Sequence, residues 1–148
     1  MHIEVDQSGK IEKTNVDTVL AFSDGKSAAV LIPAEVKRVC LRALRRRDKR
    51  KTIIVLKIFA AGLYFLLKDV LEEVTLVTID QEYPGREGDT KGMLLRLIWV
   101  GGKRFEEERI AFHQIGRKSA AHFKAYGVYK GFQKADRILT AEEILTLI

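Results

Sequence analysis

The stretch from Ile53 to Leu67 is the longest apolar run in the chain and is broken only by Lys57. It falls short of the roughly 20 residues that a bilayer-spanning helix requires, so no membrane partner is expected. A segment with no polar face has to be covered on all sides by the rest of the protein. Read together with its continuation, Thr52 to Glu73 predicts one long buried helix, because Phe59-Ala-Ala-Gly-Leu-Tyr-Phe-Leu-Leu67 runs on without turn punctuation. Its first part, Thr52-Ile-Ile-Val-Leu-Lys-Ile58, also has strand character and leaves a strand over residues 53–58 as the alternative. The 148 residues, 47% apolar and 31% charged, suit one globular domain over residues 1–148, with a short helical tail from about residue 135.

The segments on either side supply the cover. His2 to Asp6 reads as a strand, and so do Thr18 to Phe22 and Ala28 to Ile32. The last two flank Ser23-Asp24-Gly25-Lys26, whose Asp-Gly pair signals a hairpin. Pro33 opens a helix to about residue 47 in which Val36, Val39, Cys40, Ala43 and Leu44 recur at helical spacing. Val74 to Asp80 is a continuous apolar run of the kind found in buried parallel strands, and Pro84-Gly85 and Glu87-Gly88-Asp89 mark the loop after it. Thr90 to Val100 predicts a helix stopped by Gly101-Gly102, and Arg109 to Gln114 a strand. Ser119 caps a helix carrying His122, Phe123, Tyr126 and Tyr129. Thr140-Ala-Glu-Glu143 is a capping-box pattern that opens the last helix. The order β-β-β-α-β-α-β-α predicts an α/β fold: a mixed five-stranded sheet, made of a three-strand antiparallel meander plus parallel strands, with helices on both faces.

Charge and cysteine content narrow the function. Net charge is +6, and Lys37 to Lys51 alone holds nine Lys or Arg against one Asp48. Such clustering points to a polyanionic partner. Within it, Arg45, Arg46, Arg47, Lys49, Arg50 and Lys51 form a charged joint placed to hold a nucleic-acid backbone. Cys40 has no second cysteine to pair with, which excludes a disulfide framework or thiolate metal site and suggests a reduced, cytoplasmic protein. No basic region, apolar core and small-residue cleavage site stand at the N-terminus, so export is not expected.

Two strand-like runs end in an aspartate and then break into a turn: Asp6 before Gln7-Ser8-Gly9, and Asp80 before Gln81-Glu82-Tyr83-Pro84-Gly85. Adjacent strand ends would bring the two carboxylates close together, an arrangement tolerated when a cation sits between them. Taken singly, either aspartate is equally well read as capping its own turn. His122, three residues past the Ser119 cap, is a third candidate. Hard oxygens with one imidazole suit Mg²⁺ or Mn²⁺.

These residues resemble those of the ribonuclease H-like superfamily of nucleases. Asp6 followed by Gln7-Ser8-Gly9 is similar to the Asp-x-Ser motif of its members, and Asp80 stands where they carry a second metal-binding aspartate. Gln114-Ile-Gly-Arg-Lys-Ser-Ala-Ala-His122-Phe-Lys-Ala125 is similar to a stretch of the UvrC C-terminal endonuclease domain, in which a histidine on the last helix is the third ligand. Argonaute-type slicers use a similar trio. The resemblance implies a divalent-metal-dependent nuclease acting on RNA or DNA, with Asp6, Asp80 and His122 as metal ligands and catalytic residues. Arg117, Lys118 and Lys124, with Arg86 and Lys91 beyond the Asp80 loop, would then hold phosphates, and Tyr83 offers a stacking surface. The glutamate that ribonuclease H carries on its first helix has no clear counterpart among Glu35, Asp69 and Glu72. Glu82, two residues past Asp80, offers a further carboxylate. The missing helix glutamate keeps open a second reading, a non-catalytic nucleic-acid-binding module on the same fold. Ile144 to Ile148 is compatible with a monomer or a homodimer.

Overall fold

A computed structural model describes all residues from Met1 to Ile148. Three antiparallel strands open the chain: β1 (His2–Ser8), β2 (Thr18–Asp24) and β3 (Lys26–Ile32). Gly25, at φ +77°, makes the tight β2–β3 turn. Then follow α1 (Ala34–Arg45), α2 (Lys51–Leu67), β4 (Leu76–Asp80), α3 (Glu87–Val100), a 3-10 turn (Glu107–Arg109), β5 (Ile110–His113), α4 (Ala120–Tyr129), β6 (Arg137–Ile138) and α5 (Ala141–Leu147). The sheet order is β5-β4-β1-β2-β3-β6. β4 runs parallel to both β1 and β5, and β6 is parallel to β3.

The sheet therefore has six strands where the sequence predicts five. The extra one is a clip on the free edge of β3. The Asp136 main-chain N–H donates to the Ala29 carbonyl at 2.9 Å, the Ala29 N–H donates to Asp136 Oδ2 at 2.7 Å, and the Leu139 N–H donates to the Leu31 carbonyl at 2.9 Å. A two-residue strand carries no periodicity by which to read it. The tail from residue 135 packs into the main core, where Leu139 and Ile144 are fully buried.

Residues 53–58 are helical, part of α2, and the strand alternative does not form. The helix stops at Leu67 rather than Glu73. Beyond it, tight turns close with Val70 N–H to the Leu67 carbonyl and Glu73 N–H to the Val70 carbonyl, both at 2.9 Å. The Met1 ammonium then binds the Glu73 carbonyl at 3.0 Å, which ties this turn to the start of β1. α3 begins at Glu87, earlier than the predicted Thr90, with Glu87 and Asp89 in the first turn, where acidic side chains suit the helix dipole.

Alternation along the strands separates two faces. Ile3, Val5, Leu20, Phe22, Val77 and Ile79 point into a core of 29 buried residues shared with α1, α2, α3 and α5. Val19, Ala21 and Ala29 face the other way and meet Ala125 and Val128 of α4, in a cluster of only five. Helices thus cover both faces, with α4 alone on the thin side. α2 fills the thick layer, as its apolar surface requires. No helix is long and apolar enough to cross a membrane.

Candidate metal centre

The site is built where β1 and β4 end together. These parallel strands are in register from His2–Leu76 to Val5–Ile79, so the next residue on each is an aspartate. Val5 and Ile79 belong to the thick core, and alternation turns Asp6 and Asp80 to the α4 face. His113 of β5 lies in register with Asp80 and extends the row. β4 stops at Asp80, and Glu82 N–H closes a tight turn onto the Asp80 carbonyl at 2.9 Å, folding the Glu82 side chain back. One carboxylate oxygen from each of Asp6, Asp80 and Glu82 lies within 4.8 Å of the others.

Each carboxylate is constrained. Asp6 is only 5% exposed. Burial raises its carboxyl above the ordinary value, opposed by the Gln7 backbone N–H and by His122, while the Asp80 charge pushes it further up. Glu82 is raised far above the usual carboxylate range, first by burial, then by its hydrogen bond to Asp80 and the charges of Asp80 and Asp6, with Lys10 opposing. Like charges gathered in one half-buried place favour either a shared proton or a cation. Asp80 Oδ1 accepts a 2.6 Å hydrogen bond from the Ile115 N–H, which anchors the loop leading into α4. Ser119 caps that helix by accepting from the His122 N–H at 3.2 Å. The cap aims the His122 ring back at β1, where Nδ1 lies 2.9 Å from Asp6 Oδ2. The sequence groups His122 with Asp6 and Asp80 as ligands. The set of mutually close ligand atoms instead has Glu82 as its third member, and His122 braces Asp6 from outside.

The donor set, three carboxylates with one oxygen each inside 4.8 Å, fits a hard divalent cation. Gln7, 8% exposed, follows Asp6 but alternates back to the core face with Val5, where it neighbours Tyr83. The turn after β1 closes over the cleft. Gly9, at φ +77°, abuts Asp17 and the Tyr129 ring, so that a Cβ there would clash with both. Lys37 of α1, fully buried, donates from Nζ to the Lys10 carbonyl at 3.0 Å, the Lys13 carbonyl at 2.7 Å and Thr18 Oγ1 at 3.0 Å. Three acceptors for three donors hold this loop, and Lys10 with it, beside Glu82.

The other predicted residues divide. Tyr83 is turned inward, edge-on to Phe59 with centroids 5.1 Å apart, and its hydroxyl donates to Glu12 Oε1 at 3.3 Å, so it is no exposed stacking surface. Arg86 is paired with Asp89 at 3.1 Å, and Arg50 with Asp48 at 2.8 Å. Arg45, Arg46, Arg47, Lys49 and Lys51 are exposed, as are Arg117 and Lys118, while Lys124 is half-buried. Lys51 starts α2 eight residues before Phe59, about 12 Å along the axis from a ring that lies beside Asp80 and Glu82. Glu72 pairs with Lys103 at 2.9 Å near the opposite end, so it is no ligand here. Sequence reasoning missed Lys10 and Lys37. Compared with known proteins, the chain matches no family model, no curated protein and no solved structure.

Proposed function

We propose that this protein is a divalent-metal-dependent nuclease of the ribonuclease H-like superfamily that hydrolyses phosphodiester bonds in RNA or DNA. The observation that carries the reading is the convergence of Asp6, Asp80 and Glu82 to within 4.8 Å at the ends of neighbouring parallel strands. The β1–β3 antiparallel meander, followed by helices and the parallel strands β4 and β5 on the β1 edge, agrees with it.

Asp6, Asp80 and Glu82 would hold Mg²⁺ or Mn²⁺. Bound there, the cation supplies charge neutralisation at the phosphodiester and activation of water. The chain's own groups do the rest. His122 fixes the Asp6 carboxylate through Nδ1 and keeps Nε2 for a water or a phosphate oxygen. Asp80, anchored to the Ile115 N–H, ties the Arg117 and Lys118 loop to the carboxylate row. Those cations, with the Arg45–Lys51 joint, attract the nucleic-acid backbone without reading its sequence.

A non-catalytic nucleic-acid-binding module is favoured by one feature: His122 spends Nδ1 on Asp6 and stands outside the carboxylate set. Cleavage of a labelled panel of RNA–DNA hybrid, duplex, single-stranded and branched DNA with Mg²⁺ or Mn²⁺ decides between the two. Cutting that needs the metal and is lost in Asp80→Asn is the expected result. No cutting, with salt-sensitive binding intact in both proteins, assigns the binding module.

A further inference from the structure

The outer face of α4 continues the site as an aromatic surface that the cleft chemistry does not use. Phe123 is 61% exposed and Tyr126 45%. They are three residues apart and so lie on one side of the helix together with His122. The His122 ring, bonded to Asp6, lies nearly parallel to Tyr126, with centroids 6.1 Å apart and planes at 16°. Phe123 stands edge-on to His122 at 5.9 Å. Lys130 places its ammonium 5.7 Å from the Tyr126 ring centroid. Core packing does not explain this, because α4 turns Ala121, Ala125 and Val128 inward and leaves the large rings outside.

We infer that Tyr126 and Phe123 form a stacking platform for unpaired nucleobases, which makes single-stranded nucleic acid, or the unpaired portion of a branched one, the preferred ligand. The inference rests on the nucleic-acid reading above and deepens it. Exposed rings flanked by cations have the composition of surfaces on which successive bases stack while their phosphates are neutralised. Lys130 and Lys124 supply charge on the same helix, and Lys118 supplies it on the loop before. Paired bases inside a duplex present no free face to such rings. Through His122, the platform is one side chain removed from the carboxylates, so a strand stacked there has its backbone led toward Asp6.

The test is fluorescence anisotropy with a labelled 12-nucleotide single strand of mixed sequence and the matching duplex, in EDTA so that neither is cut. The proteins are wild type, Tyr126→Ala, Phe123→Ala and Tyr126→Phe. Because both rings are exposed, the substitutions leave the core intact, and Tyr126→Phe keeps the ring as an internal control. The single strand binds wild type more tightly than the duplex does. Each alanine variant weakens single-strand binding by about fivefold or more and changes duplex binding less than twofold, and Tyr126→Phe restores it. Equal loss for both ligands, no loss for either, or failure of Tyr126→Phe to restore binding overturns the platform. So does a concentration-dependent dimer that Tyr126→Ala dissociates, since that gives the face to a second copy of the chain. The two readings fail separately. Metal-dependent cutting with unchanged binding by Tyr126→Ala removes the platform alone, while Tyr126-dependent binding without cutting removes the nuclease alone.

Discussion

Asp6 and Asp80 become neighbours through register. Two apolar runs that pair in parallel from His2–Leu76 to Val5–Ile79 deliver the next residue of each to the same row and the same face. That was legible in the sequence because an acid ending an apolar run before a turn is a visible pattern. The Glu82 contribution was half-legible: its nearness to Asp80 follows from spacing, but its direction depends on a tight turn rather than a continued strand. Lys37 was not legible at all. Among nine basic residues it looks like any other, and its burial arises only once the loop after β1 folds over α1. It gives a test at this scale. Burial lowers the Lys37 ammonium to about 8, with Asp17 and Glu12 opposing and Arg38 adding to the shift. The unfolded chain titrates it near about 10.4, so between these values the unfolded state binds the extra proton and stability rises with pH. The destabilising share is fully present below about pH 8 and is relieved as pH climbs toward 10.4. Urea unfolding at pH 7.5 and 10 should therefore show wild type gaining about 2 kcal/mol relative to Lys37→Met. Parallel pH dependence in the two proteins would show that Lys37 carries no such cost.

The β1–β3 meander, the α1 and α2 helices and the capped α4 and α5 helices announce themselves by alternation, helical spacing and caps, and they form where those signals lie. The capping box at Thr140 is present in full, with Thr140 Oγ1 accepting from the Glu143 N–H at 3.1 Å and Glu143 Oε1 accepting from the Thr140 N–H at 3.0 Å. What failed was an element without a pattern: β6 exists because Asp136 finds the free edge of β3, a tertiary event. The end of α2 failed for a related reason, since nothing local to Lys68–Glu73 reports that Met1 will bind the Glu73 carbonyl. The last segment is consequently structural. Ile144 is fully buried within the main core, so Ile144→Ala should cost about 3 kcal/mol, a fall in Tm of roughly 6 to 12 °C. A dispensable helical appendage would show a change near zero in the same calorimetric scan.

Over the whole molecule, the residues on which the proposed function rests gather at one end of the sheet. The carboxylate row, the anchored Arg117–Lys118 loop and the His122 and Tyr126 rings lie at the C-terminal ends of β1 and β4, while the Lys26–Glu73 and Lys103–Glu72 ion pairs occupy the other end. Three carboxylates gathered inside 4.8 Å, with only His122 and Lys10 to offset them, favour a cation between them, and a divalent ion is the one proposed. Thermal unfolding of wild type and Asp80→Asn, each in EDTA and in Mn²⁺, tests this directly. Asparagine keeps an oxygen for the Ile115 N–H, so the substitution changes charge with little loss of anchoring. In EDTA, Asp80→Asn should melt a few degrees above wild type, because the Asp80 charge, which opposes ionisation of both Asp6 and Glu82, is gone. In Mn²⁺ the order should reverse, with wild type gaining about 2.7 kcal/mol at 100 times Kd and the variant almost nothing. An Asp80→Asn protein that is less stable in both buffers, with Mn²⁺ leaving wild type unmoved, would contradict the metal centre and the nuclease built on it.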